Sequence, residues 1–179
     1  MNVNEFVTIY SGGNYAAPIW DDYVTYVLEL VTNGDFSNGT TGWTAEYSAV
    51  VSVVGGQLQI LNGGSGGGRT RAQFTTIVGK TYSFKGTITN LDNSSGIQMK
   101  LSINSNLDGA FFNSSFNTTT APVIVTGTFT ATVTTTYIGT SSSGGNNEIG
   151  YLDNVSVREV GESVEGRDCT INKIARLIS

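Results

Sequence analysis

Through most of residues 23–160, apolar side chains recur at every second position, and glycine- or asparagine-rich turns break the alternation at short intervals. Val24, Tyr26, Leu28 and Leu30 alternate with Tyr23, Thr25, Val27 and Glu29. A β-branched run from Tyr47 to Val54 closes on Gly55-Gly56, after which Leu58 and Ile60 alternate with Gln57 and Gln59. Tyr82, Phe84, Gly86 and Ile88 oppose Ser83, Lys85 and Thr87, and Ile97, Met99, Leu101 and Ile103 oppose Gln98, Lys100 and Ser102. Val123, Val125 and Phe129 mark another strand, and Val133 to Thr140 the next. In the last one, Tyr151, Asp153, Val155 and Val157 alternate with Leu152, Asn154, Ser156 and Arg158. A period of two gives each strand one dry and one wet face. The pattern predicts an all-β fold of about eight to ten strands, arranged as a two-sheet antiparallel jelly-roll sandwich.

The two ends lack this pattern. Residues 1–22 are polar and glycine-containing, with scattered aromatics at Phe6, Tyr10, Tyr15 and Trp20, and read as an extended N-terminal arm. Residues 161–179 regain charge, and Ile171, Ile174, Ala175 and Ile178 fall at helical spacing, which predicts a short C-terminal helix. A helix this short is marginal alone. The division expected is therefore arm 1–22, sandwich 23–160 and tail 161–179. Tyr10, Tyr15 and Trp20 in the arm, and Ile171, Ile174 and Ile178 in the tail, are expected to be assembly contacts, since neither end can build its own core.

Composition fits this picture and removes several functions. The chain has 179 residues, enough for one ordinary domain, with 23 glycines and only 13% charged residues. A net charge of −5 argues against a nucleic-acid partner. The acids are uneven: six precede the first basic residue, Arg69, so that segment carries −6 and the remainder, with 9 bases and 8 acids, carries +1. There is no histidine, which excludes Ser-His-Asp and Cys-His catalysis and His-ligated zinc or haem. The lone Cys169 cannot form an internal disulfide. The opening MNVNEFVTIYSGGNY lacks a basic or apolar leader region, and no apolar run approaches the ~18 residues of a membrane span, so neither export nor a membrane partner is expected. The glycine run at 63–68 lacks the Lys-Ser/Thr of a phosphate loop. No acids form a recognisable catalytic motif, and an enzyme is not expected.

Three segments add a family resemblance. Leu30-Val31-Thr32-Asn33-Gly34-Asp35-Phe36, followed by Gly42-Trp43, resembles the opening of carbohydrate-binding modules of the family 4/9/22 type. Val78-Gly79-Lys80-Thr81-Tyr82-Ser83-Phe84 is similar to an internal strand of those modules, and Tyr151-Leu152-Asp153-Asn154-Val155-Ser156-Val157 to their closing strand. The match covers about residues 29–160. In physical terms, Asn33-Gly34 suits a turn with positive φ, and Phe36 and Trp43 can bury their rings at one end of the sandwich.

The resemblance implies two kinds of site. The closing-strand carboxylate of the family often holds a structural calcium together with an acid just after the first-strand Phe. Here that second position is Ser37, and Asp35 is the available substitute for pairing with Asp153. Read alone, Asp153 shares the register of Tyr151 and Val155, and a core-facing carboxylate must be paired, metal-bound or hydrogen-bonded, as by the amides of the 32–36 turn. The family also binds glycans by stacking rings on sugars, aided by polar hydrogen bonds. The candidates are Phe111, Phe112 and Phe116, with Tyr47, Tyr137, Arg69 and Arg71; the opposing reading packs one of the paired phenylalanines inward.

Such domains occur in secreted polysaccharide-degrading enzymes and in tailed-phage virions. The arms, the missing export signal and the Thr/Ser/Gly/Asn-rich, Lys-poor composition favour the virion. The expected function is a non-enzymatic structural protein at the virion surface: a capsid decoration, head fibre or tail appendage. Its partners would be other virion chains and copies of itself, as a homotrimer. A free-standing glycan-binding module or adhesin, meeting a cell-surface glycan, is the alternative.

Overall fold

In the computed structural model, residues 28–64, 67–91, 96–143 and 147–161 are described. Tyr10, Tyr15, Trp20, Ile171, Ile174 and Ile178, with the N-terminal arm, the C-terminal helix and Cys169, lie outside the described residues.

The alternating pattern folds into two five-stranded antiparallel sheets. The strands are β1 (Trp43–Glu46), β2 (Ala49–Val54), β3 (Gln57–Asn62), β4 (Arg69–Thr75), β5 (Thr81–Asn90), β6 (Ile97–Ser102), β7 (Phe112–Asn113), β8 (Val123–Thr130), β9 (Thr135–Ser142) and β10 (Ile149–Glu159). One sheet has the order β1-β4-β9-β6-β7 and the other β2-β3-β10-β5-β8. The chain passes repeatedly from one sheet to the other, giving the expected jelly-roll sandwich. Between the sheets lie Leu58, Ile60, Tyr82, Phe84, Ile88, Met99, Leu101, Ile138, Leu152 and Val157, all buried.

The opening turn explains its own sequence. Asn33 adopts φ 54°, and its side chain donates to the carbonyls of Gly39 at 2.8 Å and Thr41 at 3.0 Å. Its Oδ1 accepts the Asn38 amide at 2.9 Å, and its carbonyl accepts the Trp43 indole at 3.1 Å. Phe36 and Trp43 are buried, as expected, with ring centroids 5.1 Å apart. Positive φ falls on Asn33 and Phe36 rather than on Gly34. Gly34 is required for another reason: a Cβ there would lie 1.9 Å from the Val155 carbonyl oxygen.

Several expectations are corrected. Leu28 and Leu30 do not share a buried face: Leu28 is 74% exposed, and Glu29 makes only an isolated bridge to Arg158. Tyr47 and Ser48 adopt φ 53° and 64° and form the turn into β2 rather than its start. Ile103 lies beyond β6 and is exposed. The inward face of β4 is Thr70, Ala72 and Phe74, with Phe74 its one large apolar side chain.

The largest correction concerns Asp153. In β10, Asp153 opposes Thr87, yet Ser156 already opposes Lys85, so β10 carries one extra residue, with Asn154 at φ 51°. This bulge reverses the alternation midway along the strand. Leu152 points inward before it and Val155 and Val157 after it, leaving Tyr151 and Asp153 on the outer face. Asp153 caps neither the core nor the 32–36 turn. Its carboxylate accepts the Asn154 amide at 2.7 Å and the Asn154 side chain at 3.0 Å, and the turn is tied instead by the Val155 amide to the Gly34 carbonyl at 2.8 Å.

Candidate functional site

The outer face of the β1-β4-β9-β6-β7 sheet follows from its registers, since cross-strand partners in an antiparallel pair point the same way. Arg69, Arg71 and Gln73 of β4 stand opposite Ser141, Gly139 and Tyr137 of β9. Those three in turn face Gln98, Lys100 and Ser102 of β6. Glu46 and Thr44 of β1 complete one edge and Asn113 of β7 the other. The face is thus built of cations, a carboxylate, amides, hydroxyls and one tyrosine, with apolar residues turned to the core.

Arg69 is held at one end. Its Nη1 contacts Asp108 Oδ1 at 2.6 Å and the Asn106 carbonyl, and its guanidinium lies 4.3 Å over the Tyr47 ring. The Tyr47 hydroxyl donates to Asp108 at 3.3 Å, and the Asn106 amide donates to the same carboxylate at 2.7 Å. The Arg69 guanidinium holds the Asp108 carboxyl below the usual carboxylate range. Arg71 is held differently. Its Nε donates to Glu46 Oε1 at 2.7 Å while its guanidinium lies 5.0 Å over the Tyr137 ring. The stack and the single bond at Nε leave the terminal nitrogens as oriented donors.

Next to Arg71 stands Gly139, itself buried among its neighbours. Gly139 separates Arg71 from Lys100, and a Cβ on it would fall 1.9 Å from the Thr70 carbonyl oxygen. Two strand spacings place the two backbone positions about 10 Å apart, with no side chain on the strand between them. Burial pushes the Lys100 ammonium down from its ordinary pKa, and the nearby Arg69 charge adds to this, against an opposing pull from Asp108.

The structure therefore brings Arg69, Arg71, Tyr47 and Tyr137 together and leaves the three phenylalanines elsewhere. Phe112 turns inward onto Phe84, with centroids 4.7 Å apart. Phe111 leans on Phe129 at 5.3 Å and lines a cavity of about 350 Å³ with Phe112, Phe129, Ile103 and neighbouring threonines. Phe116 is exposed in the segment after β7. Glu46, Asp108, Lys100 and Gly139 are site residues that motif reading missed. A signal did exist: Arg69 and Arg71 at i, i+2 declare a charged strand face.

Asp35 and Asp153 are not gathered into a cage. Asp35 accepts the Ser37 amide and hydroxyl at 3.3 and 3.0 Å, which lower its pKa, and lines a cavity of about 570 Å³ shared with Lys85 and Arg158. Asp153 is not among that cavity's lining residues. No cluster of three acidic or sulfur ligands occurs among the described residues. Two cations and fewer than three acids suit calcium poorly, since it takes six to eight oxygens.

No family model and no curated protein matches the chain. Solved structures share its fold. A family 4 carbohydrate-binding module superposes with TM-score 0.61 at 19% identity, over 73% of this chain and 99% of that one. The CBM22-1 xylan-binding domain of Paenibacillus barcinonensis Xyn10C gives 0.54 at 18%, over 76% and 95%. The enzymatically active domain of bacteriophage CBA120 tailspike protein 4 gives 0.53 at 12%, over 74% of this chain and 21% of that one. The described sandwich is a carbohydrate-binding-module-like jelly roll. Identities this low establish a common fold and nothing finer.

Proposed function

We propose that this protein is a non-enzymatic structural component of a tailed-phage virion whose sandwich presents a glycan-binding face at the virion surface. The observation that carries the binding role is Arg71: stacked on Tyr137 and fixed by Glu46 on the outer face of the sheet. A pre-oriented guanidinium beside amides and hydroxyls can donate paired hydrogen bonds to sugar hydroxyls without first losing rotamer freedom. The fold, shared with modules named for carbohydrate binding, supports the same reading.

The virion role draws on different observations. The composition is poor in lysine and rich in small polar residues, and both ends depart from the sandwich pattern. The same fold recurs within a phage tailspike. In this reading the arms dock on other virion chains and on copies of the protein, in a homotrimer. The alternative, a free-standing module or adhesin, is favoured by the fit to nearly the full length of two isolated modules.

A glycan array probed with the full chain and with Arg71→Ala tests the face. Specific binding that disappears in the variant is expected, and an array blank for the unaltered chain overturns it. Mass spectrometry of purified particles tests the location. Stoichiometric presence is expected, and absence from particles leaves the free-standing module.

A further inference from the structure

The β8 strand is an open edge. It pairs with β5 alone, in a register unbroken from Thr81–Thr130 to Ile88–Val123. Just past its end, the Ala131 amide donates to the Lys80 carbonyl and the Ala131 carbonyl accepts from the Gly79 amide, both on the β5 side. By alternation, Phe129, Gly127 and Val125 also turn their backbone groups to β5, and Thr130, Thr128, Thr126 and Ile124 turn theirs outward. No backbone bond among the described residues engages those outward groups. The strand reads Val-Ile-Val-Thr-Gly-Thr-Phe-Thr, with no charge, proline or bulge, so it lacks the usual guards of an exposed edge. Ile124 is exposed on its outer face. On its inner side, the edges of the two sheets, β8 and β7, part around the cavity of about 350 Å³ lined by Phe111, Phe112, Phe129 and Ile103. The opposite edge differs, because β2 is joined there to β1 of the other sheet through the tight Tyr47–Ser48 turn.

We infer that β8 receives the N-terminal arm of a neighbouring copy as an added strand, with residues 3–10 as the donor. The inference rests on the homotrimer reading above and names its contact. Val3-Asn4-Glu5-Phe6-Val7-Thr8-Ile9-Tyr10 equals β8 in length, carries one charge, and consists largely of residue types that favour strands. Its alternation leaves neither side polar: Phe6 and Tyr10 fall on one face, Val7 and Ile9 on the other. Added to β8, the first pair reaches the aromatic cavity and the second covers Ile124. Main-chain bonds to the four outward residues supply the affinity, and the alternate side chains set the register. An uncharged edge also lets the arm of a chain with net charge −5 approach without repulsion.

The donor comes from another copy for a geometric reason. Glu29 bridges Arg158, and the Leu30 amide donates to the Val157 carbonyl at 3.0 Å. β5 occupies the other side of that stretch of β10, so the described chain enters on the β3 side, across β10 and β5 from the β8 edge. Residues 11–27 reach at most about 55 Å when extended, enough to meet a neighbour. A contact between two different surfaces is heterologous and can close as a ring, which suits three copies.

The test is light scattering and hydrogen exchange on the full chain and two full-length variants. Thr126→Pro removes an outward amide while sparing the ladder to β5, and Phe6→Asp spoils the arm. Each variant alone should run as a monomer. Amides of residues 123–130 should exchange about tenfold faster in Phe6→Asp than in the unaltered chain. Mixed together, the two variants should form a one-to-one dimer, because one keeps the arm and the other keeps the edge. Thermal melts check the fold, and Thr126→Lys replaces the proline variant if that one melts low. Trimers that persist in either variant overturn the β8 contact and leave the homotrimer standing. Variants that turn monomeric yet form no mixed dimer also overturn it, since no arm then passes between copies. An unaltered chain that is itself monomeric overturns the inference together with the homotrimer.

Discussion

The Val155 amide donates to the Gly34 carbonyl at 2.8 Å, while the Val155 carbonyl oxygen stands 1.9 Å from where a Gly34 Cβ would be. The opening turn and the bulged closing strand are thereby locked backbone to backbone, with no space for a methyl group. Gly34→Ala must push them apart. It should cost about 1–3 kcal/mol and lower the urea midpoint without changing the slope. An unchanged midpoint would show that the contact yields at no cost.

Stability and sugar binding should separate at two residues. Phe112 packs on Phe84 with rings 4.7 Å apart, so Phe112→Ala should lose about 2–3 kcal/mol. Its affinity for any glycan bound by the unaltered chain should stay within twofold. Arg71→Ala should do the reverse, weakening binding at least tenfold with a melt close to that of the unaltered protein. Loss of affinity in Phe112→Ala with its melt intact would move the binding surface to the β7 edge.

How much of this was readable beforehand depended on the distance over which each cause acts. The rings of Phe36 and Trp43 sit seven residues apart in one turn, and local spacing was enough to place both in the core. The alternation at Tyr82, Phe84 and Ile88 carried over directly. Asp153 was misplaced because a bulge leaves no mark in an apolar count; only the pairing with Thr87 and Lys85 reveals it. β4 escaped because its inward face is small or polar at Thr70 and Ala72, leaving Phe74 as its one large apolar residue. The four-residue group of Arg69, Arg71, Tyr47 and Tyr137 was nameable by residue type. Its partners Glu46, Asp108 and Lys100 come from other strands and loops, and only the sheet order unites them.

The arm should matter to assembly and not to the sandwich. Among the described residues the core cluster runs from Val31 to Val157. Deletion of residues 1–22 should leave the melt of the remaining chain nearly unchanged and abolish incorporation into particles. Size exclusion with light scattering should show the full chain as a trimer and the truncated one as a monomer. A truncated chain that still incorporates would remove the docking role from the arm.

Glu29 should set the acid limit of the fold. Its carboxylate accepts the Ser156 hydroxyl at 2.6 Å, the Val157 and Val31 amides at 2.8 and 3.2 Å, and Arg158 Nε at 3.1 Å. Burial alone would push its pKa up, but these bonds together outweigh burial and hold it below 4.5. The unfolded chain therefore takes up the proton first as pH falls. The stabilisation is complete above pH 4.5 and is lost as pH drops through the depressed folded value. Glu29→Gln removes the charge and places an NH2 among donors, which should cost about 1 kcal/mol at neutral pH; partial exposure keeps the figure small. Denaturant midpoints measured from pH 7 to pH 3 should start apart for the two proteins and converge below pH 4.5. Curves that stay parallel over that whole range would show that Glu29 contributes no acid-sensitive stability.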